Sequence, residues 1–199
     1  MTAMEQTLKA PPAAAGRSVL CMRAPVMALL ASLLLLAGCG ALPGRGELED
    51  APTFRSVPVD GNQVLEELNG YRARHNLPAL SYDPVLTQVS AEMTRRIAER
   101  DSMDTWAHSS FGLGQRLEAA RYENYAAAEN LGAGYADLSA AFAGWQGSAG
   151  HNKNLLNPYV TRVGVASMDR SNGKWRHFWV MTLARPRSDG RPTLAPGYD

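Results

Sequence analysis

Cysteine is nearly absent: the 199 residues hold two, Cys21 and Cys39. That excludes a small secreted fold built on a disulfide framework, so an apolar core has to hold the chain. Charge of one sign is missing too. Twenty Lys+Arg against 19 Asp+Glu leave a formal +1, which excludes a basic field for nucleic acid and binding to anionic lipid by charge alone. The basic residues are nearly all arginine, a mark of genome composition rather than of function. No apolar run reaches the roughly 20 residues that a comfortable bilayer-spanning helix needs. No Gly-x-Ser-x-Gly elbow and no pair of histidines four apart on one helix occur, and no internal repeat is visible. What remains, 45% hydrophobic and 20% charged, suits one soluble domain with an ordinary core.

The longest apolar run, Val26 to Ala37, follows Arg17 and Arg23. About a dozen residues is the length of a signal-peptide core. The run ends in Leu36-Ala37-Gly38-Cys39, which resembles the bacterial lipoprotein box. That resemblance implies cleavage before Cys39 and acylation of its thiol, which would anchor the protein to a membrane. Met22 begins a better-proportioned leader than Met1. Gly40 stands where an aspartate would resemble the inner-membrane retention signal, so the outer membrane is the expected destination in a host that has one. With Cys21 discarded and Cys39 lipidated, the mature domain forms no disulfide. A chain of this size buries roughly 70% of its unfolded surface, which suffices. The expected organisation is a signal peptide over 1–38 and a flexible tether over 39–60, rich in Pro and Gly. A domain over 61–186 and a flexible tail over 187–199 complete it.

Within the domain, Val64, Leu65, Leu68, Tyr71 and His75 fall at helical spacing and predict a helix over 62–76. Asp83-Pro84 reads as a capping carboxylate with proline in the first turn. Leu86, Val89, Met93 and Ile97 give the helix that follows one apolar stripe, with a solvated charged face opposite. A loop over 101–110 carries Trp106 and His108, and a short helix is expected over 115–120. Residues 126–135 read as a strand or its edge, and Asp137 as the cap of a helix presenting Leu138, Phe142 and Trp145. A Ser-Ala-Gly bend then sets His151 at the start of a second short helix, which Pro158 stops. The helix dipole there disfavours the protonated ring and leaves a neutral imidazole. Residues 160–168 and 174–184, around Asn172-Gly173, read as a hairpin. Its Phe178-Trp179-Val180-Met181 is apolar on both faces, as in a strand between helical layers.

In this order the pieces resemble the CAP superfamily, which holds cysteine-rich secretory proteins, venom antigens, plant pathogenesis-related proteins and bacterial secreted relatives. The carrying residues are Leu68-Asn69-Gly70-Tyr71-Arg72-Ala73-Arg74-His75, Leu77-Pro78-Ala79-Leu80, His108-Ser109 and Glu129-Asn130-Leu131. Trp145, Ser148, His151 and Asn154-Leu155-Leu156-Asn157-Pro158 follow, then Val163-Gly164-Val165. The resemblance covers about residues 62–186. It implies an α+β fold, a three-layer α-β-α sandwich with a central antiparallel sheet.

It also implies that His108, Glu129 and His151 converge in a cleft, with Ser148 beside them. Two imidazoles and a carboxylate with an open position are the ligand set of a catalytic-type zinc site, and equally a hydrogen-bonded cluster that needs no metal. Eukaryotic relatives carry a second glutamate where Ser148 stands, so any Zn²⁺ is expected to bind weakly. His75 reads as a capping side chain and His177 as a satisfied core histidine. Ser109 beside His108 is not a triad, because adjacency in sequence is not triad geometry. Three functions follow. The first is a membrane-anchored cell-envelope module binding a lipid, apolar or envelope ligand, with Trp106, Tyr122, Tyr125, Tyr135 and Tyr159 as candidate groove lining. The second is a metal-dependent hydrolase using the same cleft. The third is a non-catalytic interaction domain. No nucleic-acid partner is expected.

Overall fold

The computed structural model describes residues 50–193. The expected signal peptide, Cys39 and most of the tether lie outside them. The described chain opens with a strand, β1 (Phe54–Val57), and a helix, α1 (Gly61–Arg74), then a two-residue strand, β2 (Ser81–Tyr82), and α2 (Pro84–Arg100). A 3₁₀ turn, Trp106–His108, leads into α3 (Ser110–Ala119) and β3 (Asn124–Ala133). Two helices, α4 (Leu138–Gln146) and α5 (Ala149–Leu155), precede β4 (Arg162–Arg170) and β5 (His177–Pro186). The sheet order is β1-β4-β5-β3, antiparallel throughout, with β2 added in parallel beside β4.

Alternation along β4 and β5 sorts the layers, because successive side chains leave opposite faces of a sheet. Val163, Val165, Trp179, Met181 and Leu183 pack with Val64, Leu68, Phe142, Trp145 and Leu155 of α1, α4 and α5. On the other face Met168, Phe178 and Val180 meet Met93 and Ile97 of α2, while Ala184 meets Leu86, Leu113 and Leu117. The expected α-β-α sandwich is the observed one. Gly164 shows how tightly α2 lies on the sheet: a Cβ there would sit 2.2 Å from the Thr87 backbone nitrogen.

The local signals largely hold. Asp83 accepts from the Val85 and Leu86 backbone nitrogens, Pro84 opens α2, and the Leu86-Val89-Met93-Ile97 stripe is buried. Asp137 accepts from Ala140 N and caps α4. Three readings need correction. The tether over 39–60 does not run unstructured to its end: Phe54–Val57 pairs with residues 167–170 of β4. The tail over 187–199 is docked at its start, where Asp189 accepts two hydrogen bonds from Arg162 and one from Thr161. The helix expected over 115–120 begins at Ser110, capped by Ser109, which accepts from Gly112 N.

The first helix buries the expected stripe except at its end, where Arg72 rather than His75 is enclosed. Val64, Leu68 and Arg72 are its fully enclosed residues, Tyr71 is half-buried, and His75 is an exposed C-cap. Arg72 Nε donates to Pro78 O at 2.9 Å, and Nη1 donates to Leu155 O and Asn157 O at 2.8 and 2.9 Å. The guanidinium thus closes the C-terminal end of α5, where exposed carbonyls favour a cation.

Candidate functional site

The site gathers at β3, an edge strand of the sheet. The 3₁₀ turn Trp106–His108 starts at Thr105, whose side chain accepts from Ala107 N, and ends at His108. The turn then presses onto α3: a Cβ on Gly112 would lie 2.5 Å from Ala107 O. A glycine at 112 is what lets His108 approach β3. Register pairs Glu129 with Thr182, so its side chain points toward α2 and α3, while neighbouring Asn130 points toward α5.

His108 Nδ1 lies 3.2 Å from Glu129 Oε2. Because an ionised carboxylate only accepts, Nδ1 carries the proton in this contact, and Nε2 is left with its lone pair. Glu129 is buried, its side chain 2% exposed. Both its oxygens accept from Arg116: Nη1 to Oε1 at 2.7 Å and Nη2 to Oε2 at 2.9 Å. Arg116 also donates to Ala107 O at 3.1 Å and to Val89 O at 3.4 Å, which ties the turn, α2, α3 and β3 together. Thr182 Oγ1 stands 3.5 Å from Glu129 Oε1 and 2.8 Å from Ser90 Oγ.

His151 arrives from the other side of the strand. Its carbonyl accepts from Asn130 Nδ2, and Asn154 Nδ2 donates to the Glu129 carbonyl and to Asn130 Oδ1, so α5 is stitched to β3. Burial lowers the His151 pKa below 6.5, and the charge that His108 carries whenever its ring is protonated lowers it further. The expected direction and the expected place in the first turn of α5 both hold, but the leading cause is burial rather than the helix dipole. Ser148 is half-buried and its side chain caps nothing.

These pKa directions carry a prediction. As pH falls, the unfolded chain takes up the His151 proton first. The stability contributed by neutral His151 is therefore complete above about 6.5 and is lost as pH falls through the lower folded value. In a proton NMR titration His151 should titrate below 6.5, and His108→Ala should raise its midpoint part of the way back. A midpoint at or above 6.5 would mean a solvated ring.

The other singled-out residues lie elsewhere. His75 is exposed at the end of α1, stacked edge-on against Tyr71. His177 is not in the core: its side chain is 41% exposed and Nδ1 pairs with Asp169 at 2.8 Å. Tyr122 is buried with its hydroxyl donating to Asp83, and its edge lines a surface pocket with Glu118, Arg121 and Arg187, apart from His108 and His151. Tyr125 lies beside Arg187, and Tyr135 and Tyr159 are half-buried. Trp106 is 64% exposed, next to Phe111 at 69%. Sequence reading missed Arg116 altogether. The available signal was its spacing, three after Leu113 and one before Leu117, on the inward face of α3.

A zinc site that used Glu129 would need a carboxylate oxygen with a free lone pair. The Glu129 oxygens are engaged by Arg116 and His108, and among the described residues no group of three or more His, Cys, Asp or Glu is placed to hold a metal ion. The donor set fits an ion pair rather than a divalent cation.

The polar cluster of His108, Glu129 and Arg116 lies at an edge strand of an α-β-α sandwich, beside a 3₁₀ turn and α3. Residues 65–183 match the family described as "CAP: Cysteine-rich secretory protein family", and the chain belongs to that family. It is 32% identical over 103 residues to YlbC, an uncharacterized membrane protein of Bacillus subtilis, covering 52% of this chain and 30% of that one. A second Bacillus subtilis protein, YkwD, is 24% identical over 125 residues, 48% of its length. The chain thus spans less than half of either relative. Among solved structures, an extracellular protein containing a SCP domain from Bacillus anthracis is 32% identical, with a TM-score of 0.52 over 62% of this chain and 39% of that one. An outer surface protein from Borrelia burgdorferi shares the fold at 19% identity, with a TM-score of 0.58 over 67% of this chain and 99% of its own.

Proposed function

We propose that the protein is a membrane-anchored cell-envelope lipoprotein whose CAP domain binds an apolar or envelope-derived ligand at the β3 edge without catalysing its turnover. The observation that carries the reading is the exposed pair Trp106 and Phe111, with ring centroids 6.3 Å apart, flanking His108 in sequence. Exposed large aromatics beside a polar cluster give a surface both an apolar wall and an orienting hydrogen bond. Glu129, enclosed and held by Arg116, supports binding over hydrolysis, because a carboxylate fixed in an ion pair is not free to serve as general base. Native mass spectrometry of the mature protein should show a co-purifying lipid-class adduct, which Trp106→Ala/Phe111→Ala removes. Turnover of envelope substrates would favour the hydrolase reading. Neither adduct nor turnover would leave the interaction domain.

Anchorage rests on Leu36-Ala37-Gly38-Cys39 behind its charged and apolar leader. Among the described residues no helix is long and apolar enough to cross a membrane. The wild type should partition with membranes, and Cys39→Ser should block processing and acylation. Recovering the wild type unacylated in a soluble fraction would overturn the anchor.

A further inference from the structure

We propose that Arg116 is the resident cation of this cleft: its guanidinium fills the place of a divalent ion, and His108 and His151 work without metal. The carboxylate of Glu129 offers about four lone-pair positions. Arg116 Nη1 and Thr182 Oγ1 lie on Oε1 at 2.7 and 3.5 Å, and Arg116 Nη2 and His108 Nδ1 lie on Oε2 at 2.9 and 3.2 Å. Three of the positions are taken by contacts of 2.7 to 3.2 Å, and Thr182 stands over the fourth. A metal would have to displace a bidentate arginine, the strongest partner a carboxylate finds in a protein.

Arg116 is also not a side chain that can swing aside. It is 5% exposed and its two terminal nitrogens additionally hold Ala107 O and Val89 O. Moving it would strand the Ala107 carbonyl as well as Glu129. A dication beside the retained guanidinium would be repelled at close range in a poorly hydrated site. With Glu129 withdrawn, two imidazoles remain, one fewer than the three protein ligands of a catalytic zinc site. His108 keeps its Nδ1 proton on Glu129, so its Nε2 lone pair is available to accept a hydrogen bond from a neutral ligand. Arg116 acts here as a positioning residue that fixes the His108 tautomer through Glu129.

Zinc chloride calorimetry on the full chain at pH 7.5 tests the assignment, with His108→Ala, His151→Ala and Arg116→Gln alongside. Wild-type zinc binding should be no stronger than that of the two histidine variants. Arg116→Gln frees the carboxylate and should gain at least about tenfold in affinity, a gain abolished by adding His108→Ala. Circular dichroism establishes whether Arg116→Gln is folded. If it is folded and binds zinc no better than wild type, the proposal is wrong. It is equally wrong if wild-type binding depends on His108 or His151. Should Arg116→Gln not fold, the wild-type comparison decides alone: histidine-dependent zinc binding overturns the assignment, and its absence upholds it.

Discussion

Arg72→Leu should destabilise the domain by about 3–5 kcal/mol. The side chain is fully enclosed and, among the described residues, has no carboxylate partner; its charge rests on the carbonyls of Pro78, Leu155 and Asn157. Burial pulls its pKa down to about 10, still far above neutrality, so the guanidinium stays protonated. Leucine removes three charge-assisted hydrogen bonds and leaves three acceptors inside the protein without donors. It also uncaps α5, the helix that carries His151. Arg72→Lys should restore less than half of the loss, because one ammonium cannot reach Pro78 on one side and Leu155 on the other. Urea unfolding measures both. A loss below about 1 kcal/mol for leucine would mean that water already solvates the site.

Trp145→Ala should cost a similar amount, about 3–5 kcal/mol. The indole is 1% exposed, packs against Phe142 at 6.2 Å, and belongs to the cluster formed by α1, α4, α5 and the sheet. Its Nε1 donates to Leu131 O at 2.9 Å, which pins α4 to the strand that bears Glu129. Trp145→Phe separates the two contributions. It keeps much of the ring volume and loses the hydrogen bond, so about 1–3 kcal/mol should go. In the alanine variant, amide exchange at 129–131 should rise together with the loss of stability. A thermal midpoint unchanged within about one degree would show the ring to be exposed.

The sequence exposed those elements whose local chemistry and buried stripe point the same way. Asp83-Pro84 starts α2 and the Leu86-Val89-Met93-Ile97 spacing buries it; Asp137 starts α4 and Trp145 lies on its inward face. The hairpin of β4 and β5 announces itself by its turn residues and its β-rich flanks. What stayed hidden depends on tertiary contact. Gly112 and Gly114 dilute the helical signal of α3, yet Gly112 is needed where the Trp106–His108 turn presses on it. Phe54–Val57 is four residues between prolines and becomes a strand only because β4 offers an edge. Arg72 and Arg116 look like surface charges until the carbonyls and the carboxylate that receive them are in place. For that reason the approach of His108 to Glu129 could be expected from the sequence, while the arginine that holds Glu129 could not.

The order β1-β4-β5-β3 puts the domain's point of entry and its cleft on opposite flanks. Three strand spacings of about 4.8 Å separate the two edges by about 14 Å. Immobilising the domain at residues 50–53, on the β1 flank, would therefore leave the β3 flank open to ligand. A bulky fusion hung beside β3 would shade it. The layout of the sheet thus fixes from which end the molecule can be held while its cleft is probed.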